Sequence, residues 1–371
     1  MNCDILITYC WNRVGYNILR SLAAKGLSII VADTSEYNIC SMSKYSVANF
    51  VYPDPFTAEE EFITCLLKKV DELKPKVLLP THDESIVIAR YRDRFPKELV
   101  IPVAPEELLL RLSDKKQATL LARSVGVPTP EVYEGVEDAK FPCVFKTVIG
   151  NSAKTVFYPK DREELASFAA RFSSVDTLIE ERCPGVDYCV DCVRYGDTFY
   201  SSVYKGIITK TSQGGTTTQR VIVEAPQLQE YARTLLDAVD YNGVCGVDFK
   251  YDEETGRAAF IEVNARYTGG LATPIAAGFD IPYIHYLLAT GKRVDFDVKA
   301  NIGTKTKWVL GDIITFVGAL FDGSLSLNKL RQLMSFDFDA LDDCKRDDPK
   351  AFLGEMAYYL AKLFKNGKLN P

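Results

Sequence analysis

Two rhythms of apolar and polar positions run along this chain. "DILITYC" is an apolar strand, and "NRVGYNILRSLAAKG" follows it with helical spacing and ends at Gly26. "LSIIVADT" is the next strand, closing on Asp33. Strand, helix and strand within about 30 residues form a parallel α/β unit. A helix over "AEEEFITCLLKKVDELK" leads to "PKVLLPTHDES", a strand running into a polar loop, and "ESIVIARYRDRF" reads as another helix. This opening stretch predicts a small doubly wound domain. Its functional loops belong at the strand C-termini, around Cys10–Arg13, Asp33–Ser35 and Thr81–Glu84.

Further along, "LSDKKQATLLARSVGVPTPEVY" is a helix capped by Ser113 or Asp114 and stopped by Gly126 and Pro128. "CVFKTV", a loop at Gly150–Lys154, "TVFYP", a helix from Asp161 to about Phe172 and "TLIEERCPGVDYCVDCV" then give strand, loop, strand, helix, strand. "TFYSSVYKGII" is a strand, and the polar stretch "TKTSQGGTTTQR" separates it from "VIVEAP". After the helix "QLQEYARTLLDAVD" come two strands, "GVCGVDFKYD" and "RAAFIEVNAR", joined by a turn at Glu253–Gly256. The remainder is helical and mixed.

The chain has 371 residues, 47% of them hydrophobic and 25% charged, with a net charge of −6. That length suggests two or three domains. No basic stripe points to nucleic acid. No apolar run approaches the roughly 18 residues of a spanning helix, and "MNCDILITYC" lacks the basic segment of a signal peptide. The ten cysteines show no disulfide framework. Cys189 and Cys192 stand three apart on a strand and should face opposite ways. The expected setting is a reduced, cytoplasmic one. Only Gly15 of a dinucleotide fingerprint is present after the first strand, which disfavours a Rossmann dehydrogenase. The absence of a G-x-S-x-G element, with only His82 and His285 in the chain, argues against a Ser-His hydrolase.

Chemistry gathers on the two late strands. Glu262, Asn264 and Arg266 alternate and share a face, and a hairpin brings Asp248 to it. Two carboxylates and an amide oxygen are hard ligands suited to Mg²⁺. The bland alternative is a solvated face whose acids pair with Arg266 and Lys250. Lys146 interrupts an apolar strand, where a lysine needs a paired charge or a route to solvent. Lys115 sits near a helix N-terminus, against the macrodipole preference, a position that an anion would relieve. In "IEERCPGVD" a strand ends in two acids, turns at Pro184-Gly185 and reaches Asp187. Lys205, Lys210 and Arg220 flank a Gly214-Gly215 hinge that reads either as a loop closing over an anionic substrate or as a surface hairpin. His82, in "THDES", faces the cleft in one reading and is a hydrogen-bonded loop histidine in the other.

In this order the segments resemble the ATP-grasp superfamily over nearly the whole chain. The matching pieces are "DK" followed by "VGVPTP", "FPCVFKTVIGNSAKTV", "LIEERCPGVDYCVDCV" and "GVDF" with "AAFIEVNARYTGG". The N-terminal unit is similar to the pre-ATP-grasp domain of carbamoyl phosphate synthetase large chains and biotin carboxylases. The resemblance implies an α/β protein with a doubly wound pre-ATP-grasp domain (1–105) and an ATP-grasp α+β fold whose two subdomains (106–190 and 191–300) grip ATP, followed by a C-terminal extension (301–371). It implies that Lys115 and Lys146 hold phosphates, that Glu180, Glu181 and Cys183 line the adenine, and that Asp187 takes the ribose hydroxyls. Asp248, Glu262 and Asn264 would coordinate Mg²⁺ or Mn²⁺, and Arg266 would contact the transferred phosphoryl group. Lys205, Arg220 and His82 are the substrate candidates. The chain departs from the family pattern at Thr147 and Ala265, which replace prolines, at Lys154, which replaces a loop glycine, and at Asp248, where some relatives carry Glu.

The implied reaction joins a small-molecule carboxylate to an amine or thiol with ATP, forming ADP, with no nucleic acid or membrane partner; a homodimer is compatible with it. The alternatives are a bicarbonate-activating enzyme like carbamoyl phosphate synthetase or a carboxylase, and an inactive ATP-binding regulatory protein.

Overall fold

Four short strands open the chain: β1 (Ile5–Ile7), β2 (Ile29–Asp33), β3 (Ala48–Val51) and β4 (Val77–Leu79). They form a parallel sheet in the order β3-β2-β1-β4 in a computed structural model that describes residues 3–150, 155–211, 214–321 and 323–366. Helices α1 (Arg13–Ala23), α2 (Glu59–Leu73) and α3 (Glu84–Arg90) accompany it. Asn12 caps α1 by accepting hydrogen bonds from the Val14 and Gly15 amides. β1 lies between β2 and β4, so the loops after these strands meet at one edge. There the Trp11 amide donates to Asp33 at 2.9 Å, and Thr8 Oγ1 and the Thr81 amide both donate to Glu84 Oε1 at 2.8 Å. Burial pushes the Asp33 carboxyl up to about 6 and that of Glu84 to about 7. The edge strand β3, only four residues and half exposed, has no counterpart among the predicted elements.

Helices α4 (Glu106–Ser113) and α5 (Lys115–Ser124) follow, with Asp114 capping α5. A second sheet, in the order β5-β8-β6-β7, holds β5 (Val132–Tyr133), β6 (Cys143–Thr147), β7 (Val156–Phe157) and β8 (Thr177–Glu181), with α6 (Arg162–Arg171) against it. The third sheet has seven strands in the order β13-β12-β9-β10-β11-β14-β15. They are β9 (Val186–Tyr195), β10 (Thr198–Thr211), β11 (Gly214–Val223), β12 (Gly243–Tyr251), β13 (Ala258–Asn264), β14 (Lys305–Lys307) and β15 (Ala340–Leu341). The remaining helices are α7 (Pro226–Asp237), α8 (Ala272–Ala276), α9 (Ile281–Ala289), α10 (Val309–Phe321), α11 (Leu327–Leu333) and α12 (Pro349–Asn366).

Three features differ from the sequence reading. The polar stretch that reads as a closing loop or a surface hairpin is a hairpin, and not a surface one: Thr209 pairs with Thr217 and Gly206 with Arg220, and Thr218, Gln219 and Arg220 are buried. Its threonines are β-branched and suit a half-buried ladder as well as apolar residues do. The strand β9 crosses position 190, and α4 and α5 pack Leu109, Leu112 and Ala118 on the large sheet, not the small one. The segment after 300 supplies β14 and β15, and α12 returns to the first unit, where Gly354 abuts the Asn38 backbone and Asp348 accepts from Tyr16 and Ser43.

The large sheet has two unlike faces. Val190, Cys192, Val203, Val247, Phe249, Phe260 and Val263 pack on Leu228, Ala232 and Leu235 of α7. Full burial of each of the larger side chains contributes about 1.5–3 kcal/mol. The other face is polar beside α5 and becomes apolar toward α1 and α9, where Val193 and Val244 join Ile284. Cys189 and Cys192 fall on opposite faces, as their spacing predicts, and all ten cysteines are free. Among the described residues no helix is long and apolar enough to cross a membrane.

His285 on α9 lies between the hydroxyls of Tyr267, 2.7 Å from Nδ1, and Tyr195, 3.0 Å from Nε2. Burial holds its pKa down to about 3. The unfolded chain therefore binds a proton below pH ~6.5 that the native chain refuses, so this residue withdraws stability as pH falls from there toward 3. NMR of this two-histidine chain should show His285 resonances that stay fixed from pH 8 to 5. A midpoint near 6.5 would show that the imidazole is solvated.

Candidate active site

The face that carries the candidate chemistry is built by pairing register. Asp248 on β12 sits directly opposite Glu262 on β13 and Cys189 on β9. Between Asp248–Glu262 and the next pair, Phe249–Phe260, the register slips by one residue at Ile261. This bulge turns Phe260 into the core while Glu262, only two residues on, stays on the polar face. Simple alternation would have put both on one side. Asn264 Nδ2 donates to Asp248 Oδ2 at 2.9 Å, so the three expected metal ligands do come together. Burial, then the Glu262 charge, pushes the Asp248 carboxyl up to about 8.

Arg266 is not on the strand. β13 ends at Asn264, and the Arg266 amide turns back to the Asn264 carbonyl at 2.7 Å. Its Nε donates to Asp83 Oδ1 at 2.9 Å, in the loop after β4, and its Nη1 to the Tyr267 carbonyl. A small recess is lined by Asp83, Ser113, Lys115 and the run from Glu262 to Arg266, so all three parts of the chain meet there. His82 stands beside it, stacked on Tyr9 with centroids 5.0 Å apart and Nδ1 3.3 Å from Asp83. Burial and the Arg266 charge hold its imidazole well below the usual histidine range.

Lys115 bridges the sheets. Its Nζ donates to the Gly150 carbonyl, at the loop after β6, at 2.7 Å and lies 3.3 Å from Glu262 Oε2. Lys146 on β6 pairs with Glu180 on β8 at 2.5 Å, both side chains about 4% exposed. Glu180 Oε2 is buried with no hydrogen-bond partner. Glu181, the next residue, points the other way and is held by Arg257 at 2.8 Å, so its carboxylate does not join Glu180. Cys183 is half-buried, and burial pushes its thiol up to about 11. Asp187 pairs with Lys250 at 2.7 Å. The acids thus pair differently from the bland alternative: Glu262 takes Lys115, and Arg266 takes Asp83.

Two substrate candidates are held in other contacts. Lys205 falls on the opposite face of β10 from Tyr204 and is tied to Glu253 at 2.5 Å, because strand parity sends it outward. Arg220 is fully buried, bonded to Asp342 and, at 3.1 Å, to Thr273 Oγ1, so its guanidinium is spent inside the fold. Asp342 also pairs with Arg13 at 3.3 Å, and Arg13 lies over the Trp308 ring at 3.7 Å. The link from residue 342 back to residues 13 and 220 joins segments that no local pattern connects. Lys154 lies outside the described residues.

A small four-stranded sheet joined by a lysine to a larger, mostly antiparallel one that carries a pair of acids is an arrangement that known proteins share. A family model described as "ATP-grasp in the biosynthetic pathway with Ter operon" matches residues 173–310. The N5-carboxyaminoimidazole synthetase of Staphylococcus aureus, solved with ADP, superposes with a TM-score of 0.69 over 87% of this chain and 87% of that one, at 14% identity. The chain has the ATP-grasp fold. The L-amino acid ligase of Bacillus licheniformis superposes on this ATP-grasp fold with a TM-score of 0.64, over 81% of this chain and 78% of that one, at 16% identity. In sequence, the N-terminal section of the carbamoyl phosphate synthase large chain of Methanopyrus kandleri is 24% identical over 319 residues, 76% of this chain and 54% of that one. The chain therefore spans about half the length of that relative.

Proposed function

We propose that this protein of ATP-grasp fold is an ADP-forming ligase that activates a small-molecule carboxylate as an acyl phosphate and joins it to an amine. The observation that carries this reading is the Asp248–Glu262 pair with Asn264, of which Glu262 and Asn264 line a recess together with Lys115 and Arg266. Lys146 and Glu180 supply a second support. The unpartnered Glu180 Oε2 suits a donor such as the exocyclic amine of adenine, and Lys146 beside it suits a phosphate.

The donor set fits a small hard cation. Among the described residues no group of three or more His, Cys, Asp and Glu side chains is placed to hold a metal alone. Two carboxylates and an amide are what Mg²⁺ ordinarily takes from a protein when phosphates and water complete its shell. Bound there, Mg²⁺ would neutralise charge on the phosphates. In the first step a substrate carboxylate oxygen bonds to the γ-phosphorus and the bridging P–O bond breaks, releasing ADP. In the second the amine nitrogen bonds to the acyl carbon and the C–O bond to phosphate breaks. Phosphate is the better leaving group, so one difficult step becomes two. Lys115, Lys146 and Arg266 hold and orient the phosphates and the transferred group.

A second reading, activation of bicarbonate, is favoured by the likeness to the carbamoyl phosphate synthase section over 76% of the chain. Both readings form ADP. Chromatography of the nucleotide products, with pooled carboxylates and amines or with bicarbonate and ammonia, is expected to give ADP and phosphate. AMP and pyrophosphate would sink both readings.

A further inference from the structure

The polar face of the large sheet carries one carboxylate that this mechanism does not use. Asp191 on β9 is only 2% exposed. Its Oδ1 accepts from Thr268 Oγ1 at 2.8 Å and lies 3.8 Å from Cys189 Sγ, while its Oδ2 has no hydrogen-bond partner. Directly opposite, in the β9–β10 ladder, stands Ser202, 3% exposed, whose Oγ also lacks a partner. Side chains facing each other on antiparallel strands have Cβ atoms about 4.5–5.5 Å apart. The carboxylate and the hydroxyl share that space without bonding to each other.

The surroundings are built to bring this pair close to the reacting groups. Gly246 lies opposite Asp191 on β12, and a Cβ there would come within 2.1 Å of Thr268 Cγ2 and 3.4 Å of Asp191 Oδ1. Glycine is what lets Thr268 reach Asp191. Thr268 is two residues beyond Arg266, so Asp191 abuts the turn that carries the proposed phosphoryl-binding guanidinium. Asp248 and its partner Cys189 are one row away on the same face, two residues along the strands, or roughly 7 Å.

A buried carboxylate oxygen without a donor costs free energy, and a buried hydroxyl oxygen beside it that likewise receives no donor adds to that cost. The partner that removes both is a small cation with several N–H donors. We propose that Asp191 and Ser202 form the subsite for the amine nucleophile, a primary ammonium or ammonia-sized group, an assignment that rests on the ligase reading above. Burial pushes the Asp191 carboxyl up to about 7, a state that a bound ammonium would reverse.

Thermal unfolding of the full chain at constant ionic strength tests this with methylammonium chloride, against tetramethylammonium chloride, which has the charge and no N–H. Methylammonium alone is expected to raise the midpoint. In Asp191→Asn, which keeps an acceptor for Thr268, its apparent affinity should fall at least tenfold while MgADP affinity stays within twofold of wild type. Ser202→Ala should weaken methylammonium about threefold or more, and this variant carries the test if Asp191→Asn folds poorly. Equal responses of wild type and variants, equal responses to the two cations, or no response in wild type would overturn the subsite, and a bridging water would then account for the two buried groups. Methylammonium binding without MgADP binding would instead overturn the ligase reading alone.

Discussion

Replacing Glu262 with alanine is expected to reduce ADP formation to the background of the assay while leaving the fold intact. Glu262 is the member of the acid pair that Lys115 touches, so it joins the candidate metal position to the loop at Gly150. Without it Asp248 alone remains as a carboxylate donor, and Lys115 loses its charged partner. The effect on stability should be small, because two changes oppose each other. The variant loses an ion pair whose acid is about one-third exposed, and such pairs contribute little. It also removes a like charge from beside half-buried Asp248, whose carboxyl is pushed up by burial first and by Glu262 second. Catalytic sites commonly hold such repulsion at the expense of stability, so a melting temperature at or slightly above that of wild type is expected. Turnover at the wild-type rate in ordinary Mg²⁺ would mean that this face is only a surface.

The residues that make this pair were legible because strand periodicity is strict: acids and an amide at every second position of an apolar segment must share a side. The bulge at Ile261 was not, since it is a property of the pairing and leaves no mark in a single strand. The same limit explains Arg266. Its even spacing from Asn264 suggested a third group on the strand, yet the backbone turns after Asn264 and carries it to Asp83 instead. Polar composition left residues 209–211 and 214–220 open between a closing loop and a surface hairpin, and only the pairing decides for a hairpin in which Lys205 goes to Glu253 and Arg220 to Asp342. Asp191 gave no signal at all. An Asp in "YCVDCV" is one polar residue in a strand, and only the ladder reveals that Ser202 faces it and that neither finds a partner. The acids at 342–348 are similar: their contacts with Arg13, Arg20 and Arg220 span more than a hundred residues, so local patterning says nothing about them.

Arg266→Lys should lower the rate by roughly 10²-fold or more, the scale of one lost charge-stabilising donor, while nucleotide affinity changes little. The reason is geometric. Nε is taken by Asp83 and Nη1 by the Tyr267 carbonyl, and Nη2 makes no hydrogen bond to any described residue. The guanidinium is therefore anchored through two of its three nitrogens, in a fixed plane, at the wall of the recess that Glu262 and Asn264 also line. A lysine keeps the charge but has a single nitrogen for the work of three. If it stays with Asp83 it presents no donor to the phosphoryl group, and if it turns to the phosphoryl group it gives up its own bond to Asp83. Either way the loss falls on charge that develops during transfer, so kcat should drop and the affinity for MgADP, measured directly, should not. Equal losses in affinity and in rate would assign Arg266 to ground-state nucleotide binding. An unchanged rate would leave it with the role its ion pair already has, joining the turn after β13 to the loop after β4.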